Sequence, residues 1–126
     1  MDTRDDEAAP EARELPPFLH PTSWLEATVD LSTFGLGNLY LKDGRAAAVT
    51  EWVQASEKGG LLAVAKLLAA YVDHADDASF PEARAGWQKW EAWLKGGVTQ
   101  KVVKRITDAI FAFMGHVGDE ARRVPN

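Results

Sequence analysis

Between Gly60 and Asp73 the chain reads GLLAVAKLLAAYVD, with Lys66 its only internal charge. At about 100° per residue, Leu61, Val64, Leu67, Leu68, Tyr71 and Ala75 fall on one side, and most remaining positions are alanine. A helix apolar nearly all round is a buried one, and small side chains let flanking helices come close. The pattern predicts a central helix. Two further helical patterns follow it. Ser79-Phe80-Pro81-Glu82 has capping-box spacing with proline in the first turn. After it, Ala83, Gly86, Trp87, Trp90, Trp93 and Leu94 share a side as far as Lys95, where Gly96-Gly97 ends the run. From about Thr99 to Gly115, Val102, Val103, Ile106, Ala109, Ile110, Phe113 and Met114 form one stripe. Phe111 lies about 140° from Ile106 and off that stripe, among Lys101, Lys104 and Thr107.

Upstream of the central helix the pattern is less regular. Ser23 and Glu26 repeat the capping-box spacing, predicting a short helix from Trp24 to about Leu31. Leu39-Tyr40-Leu41-Lys42 before Asp43-Gly44 reads either as one arm of a β-hairpin or as the approach to a helix over residues 44–58. The Arg-Ala-Ala-Ala run and the spacing of Val49, Trp52 and Val53 favour the helix. Gly59-Gly60 supplies a left-handed corner. The two Lys-Gly-Gly corners, 37 residues apart, reflect shared turn chemistry, since the helix interiors around them do not match. The expected fold is all-α, a compact bundle of four main helices preceded by a short helix. Residues 1–17 read as an acidic disordered or loosely docked tail, 18–117 as the bundle domain, and 118–126 as a frayed end.

Composition narrows the classes of function. At 126 residues the chain is one domain's worth, and 46% hydrophobic residues suffice for one core. Without cysteine there is neither a disulfide frame nor a thiolate metal site. No stretch approaches the roughly 18–20 apolar residues of a membrane span, and the acidic N-terminus is unlike a targeting peptide. A cytoplasmic protein without a membrane partner is expected. The net charge of -5 divides unevenly: residues 1–78 carry 14 acids and 6 bases, residues 79–126 carry 5 acids and 8 bases.

Three sets of residues are candidates for chemistry. Gly97-Val98-Thr99-Gln100-Lys101-Val102-Val103-Lys104-Arg105-Ile106 resembles the turn and recognition helix of helix-turn-helix repressors. Val98, Thr99, Val103 and Ile106 occupy that motif's apolar and hydroxyl positions. The resemblance implies DNA binding through residues 86–110, with Thr99, Gln100, Lys101, Lys104 and Arg105 facing the groove. The upstream half departs from the motif, because Trp93 stands where a small alanine is usual and Gly96 where a hydrophobe is usual. A second set is the tryptophan row Trp87, Trp90 and Trp93. At three-residue spacing the rings drift by about 60° per step, so Trp90 is central and its neighbours flank the stripe. Trp87, Trp93 and Phe111, with Lys101 and Lys104 beside them, suit a protein interface. In the third set, His74 with Asp77 and His116 with Asp119 would lie at one end of an up-down bundle, as for a divalent metal or acid–base chemistry.

The weight falls on a small non-catalytic interaction module, an adaptor, inhibitor or assembly subunit. Its expected partner is another protein or a second copy of itself. No catalytic residue and no cofactor is assigned. A DNA-binding regulator ranks second, and a small helical enzyme or metal binder third.

Overall fold

Ala27, Val29 and Leu31 alternate with Glu26, Thr28 and Asp30, and Leu39 and Leu41 alternate with Asn38, Tyr40 and Lys42. A period of two sends every second side chain to the same face of an extended chain. The computed structural model, which describes residues 14–123, realises this pattern as a sheet. Among the described residues the order is β1 (Leu19–Ser23), β2 (Glu26–Asp30), β3 (Asn38–Lys42), α1 (Ala46–Ser56), α2 (Gly60–Tyr71), β4 (Val72–Ala75), α3 (Trp87–Lys95) and α4 (Gln100–Arg123). The four strands pair antiparallel in chain order, and the α1–α2 hairpin forms the connection between β3 and β4.

The fold therefore combines helices with an antiparallel sheet, and the expectation of an all-α helical bundle is wrong. The short helix expected over residues 24–31 is the turn and second strand of a hairpin. Ser23 Oγ accepts the Leu25 N–H at 3.2 Å, so the hydroxyl closes the β1–β2 turn and does not cap a helix. Leu39–Lys42 is likewise a strand, with Asp30 opposite Asn38 and Glu26 opposite Lys42.

Leu19, Ala27, Val29, Leu39, Leu41 and Val72 turn one face of the sheet into the core. Helix α4 lies against β1 and β2, and buries Val102, Ile106, Ala109, Ile110 and Phe113. Its stripe has the expected phase, with Val103 and Met114 half-buried at the margins. Helix α2 packs between α1 and α3, burying Leu67, Leu68, Tyr71 and the alanines 63, 65 and 70. Full burial of each large apolar side chain contributes about 1.5–3 kcal/mol, which makes this shared layer the main source of stability. Gly59 and Gly60, at φ 71° and 80°, turn the α1–α2 corner in the left-handed region that glycine enters without strain.

Two helix boundaries also differ from expectation. Helix α2 stops at Tyr71 and passes directly into β4, where Leu41 pairs with Val72 and Tyr40 with His74 around a register shift. The helix expected after Pro81 begins only at Trp87. Ser79 N–H bonds Asp77 Oδ1 at 2.8 Å and Arg84 takes φ 58°, so residues 76–86 form a loop before it. Helix α4 continues past Gly115 to Arg123, with Asp119 buried within it. Of the acidic tail expected at 1–17, residues 1–13 lie outside the described residues, and so do 124–126 of the expected C-terminal end. Leu15 is half-buried against the core, and the Leu19 N–H donates to the Pro16 carbonyl at 3.0 Å.

Candidate interaction surface

Residues spaced by three and four on α4 leave Lys101, Lys104, Asp108 and Phe111 in one exposed row opposite the buried stripe. Lys104 Nζ donates to Asp108 Oδ2 at 2.7 Å, an i,i+4 pair of a kind that contributes only a few tenths of a kcal/mol when exposed. Phe111 is 52% exposed. Its inner edge meets Trp52 of α1, with ring centroids 6.0 Å apart and planes tilted by 53°. An aromatic pair thus bridges α4 and α1 at the surface.

At the start of α4 an open groove of about 670 Å³ is lined by Phe34, Leu36, Trp93, Val98, Thr99 and Val102, together with Ser79, Gly96 and Gly97. Trp93 forms one wall. It stacks on Phe80 at 5.0 Å and meets Trp90 edge-on at 5.3 Å, so its ring is held in place by the core. Trp90 is the buried member of the row, and its Nε1 finds no acceptor among the described residues. Trp87 stands apart from the groove, half-buried under the Lys66 ammonium at 5.2 Å. Arg105 lies over Phe18 at 4.4 Å and over the groove residue Phe34 at 5.1 Å. Its guanidinium connects the groove to the exposed row of α4. Of the five interface candidates, Trp93 and Phe111 each mark part of this surface, Lys101 and Lys104 lie in the row, and Trp87 lies elsewhere.

The DNA-reading set is divided. Thr99 lines the groove, Gln100 and Lys101 are exposed, Lys104 is paired with Asp108, and Arg105 is committed to two phenyl rings. The metal set does not converge. His74 is on β4, stacked on Tyr40 at 4.3 Å with Nδ1 2.7 Å from Asp73, while Asp77 holds Ser79 and His116 belongs to α4 beside buried Asp119. Among the described residues no three His, Cys, Asp or Glu side chains form a metal cluster. The Ser79 hydrogen bonds hold the Asp77 carboxyl below its ordinary pKa.

The outward face of the sheet carries one cross-strand row, His20, Thr28, Tyr40 and His74, by register. Tyr40 Oη donates to Asp76 at 3.1 Å, and the same carboxylate accepts the Asn38 N–H at 3.1 Å, tying β3 to the loop after β4. The hydrogen bond from His74, with Lys42 and Arg84 nearby, holds the Asp73 carboxyl below the usual range against its burial.

Sequence reasoning missed Phe34 and Leu36 as groove residues. Their signal is two large hydrophobes inside the glycine loop Ser-Thr-Phe-Gly-Leu-Gly-Asn, where a solvated loop needs none. A four-stranded antiparallel sheet with helices against one face places the chain in the α+β class. Compared with protein-family models, with curated proteins and with solved structures, the chain matches none. No helix among the described residues is long and apolar enough to cross a membrane.

Proposed function

We propose that the protein is a non-catalytic interaction module that docks another protein along the start and outward row of α4. The observation that carries this reading is the groove of Phe34, Leu36, Trp93, Val98 and Val102, an apolar trough with a rigid tryptophan wall. Rigid aromatic anchors in desolvated hollows concentrate binding energy at interfaces. Lys101 and Arg105 beside it suit a partner segment that combines an apolar anchor with acidic flanks. Phe111, half-exposed at the far end of the row, extends the surface toward α1. A cytoplasmic location belongs to the same proposal and rests on the cysteine-free composition.

The test uses charge placed in the groove. Phe111→Glu alters an exposed position and Leu36→Glu a half-buried one at the margin of the core. Proteins retained from the native cell by the tagged wild-type chain, and its self-association by sedimentation, are compared with those of the two variants. The expected result is a loss of about tenfold or more in retention or self-association with circular dichroism unchanged. Retention and sedimentation identical in wild type and both variants would remove this surface as the docking site.

A further inference from the structure

We infer that the cleft between the end of α2, β4 and the start of α1 binds a small oxyanion, a phosphate or a carboxylate group. The cleft has a volume of about 190 Å³ and is lined by Lys42, Asp43, Arg45, Tyr71, Asp73 and Arg84, with Ala69, Ala70 and Val72 behind them. It is separate from the groove of the docking surface and does not depend on that reading.

Charge is the first argument. Three cations meet two carboxylates there, in a protein whose overall charge is -5. One of the carboxylates is already engaged. Asp73 accepts from His74 Nδ1 at 2.7 Å and from Arg84 Nε at 3.4 Å, with Lys42 Nζ 3.9 Å away. Those contacts neutralise Lys42 and Arg84 as much as Asp73, and the lining keeps a net excess of one positive charge, three cations against two carboxylates. A concave site with a net charge of one sign attracts small ions of the other.

Tyr71 is the second argument, and it is independent of charge. The residue is only 7% exposed, yet it lines the cleft, and its hydroxyl has no hydrogen-bond partner among the described residues. Among the described residues only Trp90 Nε1 is enclosed without a partner, so the Tyr71 hydroxyl opens onto the cleft, where it can donate to a bound acceptor. Gly44 sets its position. A Cβ there would stand 3.0 Å from Tyr71 Cζ and 2.5 Å from Val49 Cγ2, so only glycine lets the 43–45 loop close against the phenol. Burial, with Asp43 adding to it, pushes the phenol pKa up, which keeps the hydroxyl protonated and able to donate.

The backbone contributes in the same direction. Helix α1 opens behind Arg45, whose side chain makes no capping hydrogen bond, so the first N–H groups of an 11-residue helix carry their partial positive charge at this wall. Arg84 is the only non-glycine among the described residues with positive φ, 58°, and its N–H donates to the Asp73 carbonyl at 2.8 Å. Strained backbone that is held this way clusters at binding sites. The bound group would accept from Tyr71 Oη and make charge-assisted contacts with Lys42, Arg45 and Arg84.

The full chain is titrated with inorganic phosphate and, separately, with acetate at constant ionic strength, followed by backbone amide NMR. Saturable shifts confined to residues near 42–46, 71–73 and 84 are expected, and the anion that saturates names the source of the oxyanion. Tyr71→Phe keeps the ring and should weaken binding about threefold to tenfold, as for one neutral hydrogen bond. Arg45→Gln, at an exposed position, should weaken it about tenfold or more. Lys101→Gln, on the docking surface, should leave it unchanged, which separates failure of this site from failure of that one. Shifts that stay linear for both anions, or saturation that Arg45→Gln and Tyr71→Phe leave untouched, overturn the inference.

Discussion

Helices α1 and α4 each carry apolar residues at helical spacing, Val49, Trp52 and Val53 in one and Val102, Ile106 and Ile110 in the other, yet they end in opposite situations. Five of the seven stripe residues of α4, Val102, Ile106, Ala109, Ile110 and Phe113, are at most 5% exposed, whereas α1 has no buried residue among those described. The difference lies in what each helix faces. Helix α4 meets the sheet and α2 together, so its stripe is enclosed from several directions. Helix α1 leans on α2 and, through Trp52, on the Phe111 ring; Ala48, Val49 and Trp52 are partly covered against the core, and Val53 is 49% exposed. Apolar residues at helical spacing do not by themselves ensure burial, which depends on the number of neighbours available.

Truncation should expose that contrast most sharply. Phe113→Ala removes a ring with no exposure that also meets Tyr71 edge-on at 6.5 Å, and is expected to cost about 3–5 kcal/mol in urea denaturation. Trp52→Ala, in the one-sided helix, should cost about 2 kcal/mol, because its ring is only partly buried. Equal losses would mean that α1 is held as firmly as α4.

Asp73 sharpens the comparison at the junction of α2 and β4. Its carboxyl pKa is depressed in the folded chain, so its contribution is complete above the ordinary carboxylate value and disappears as pH falls through the lower folded one. At pH 7, Asp73→Asn is expected to lose about 1–2 kcal/mol. The gap between the two melting curves should close as pH drops below about 4. A gap independent of pH would show that the ionised form is not what stabilises this junction.

The smallest effect is expected at Phe111. Phe111→Ala removes a half-exposed ring and should shift stability by about 0.5 kcal/mol, mostly through the lost Trp52 contact. A loss comparable to that of Phe113→Ala would place Phe111 in the core and remove it from the docking surface.

Much of the helical layer was legible. Phe111 and Phe113 differ by two positions, about 200° of rotation, and periodicity alone separates the exposed ring from the buried one. The groove was half legible: Trp93 stood out by its flanking phase, but Phe34 and Leu36 reach it from a loop 57 or more residues earlier in the chain. The cleft was not legible. Lys42, Tyr71 and Arg84 come from β3, the last turn of α2 and an irregular loop, and nothing in their spacing relates them.

The sequence by itself determined the phase of α4 and the glycine corners after Lys58 and Lys95, because each follows from local spacing; α2 is buried only from Ala63 onward, and Leu61 and Leu62 in its first turn are 40% exposed. Only the tertiary structure decided the sheet. Ser23 and Glu26 have the spacing of a helix cap, yet β1 and β3 on either side offer β2 a complete set of backbone partners and enclose Ala27 and Val29. The same rule ends α2 at Tyr71. No glycine or proline stops it there, but beyond that point β3 supplies an open strand edge, and Val72 gains more from pairing with Leu41 than from another helical turn. A strand's hydrogen bonds and half of its burial come from residues distant in the chain, so local pattern leaves it undecided where a helix is already complete.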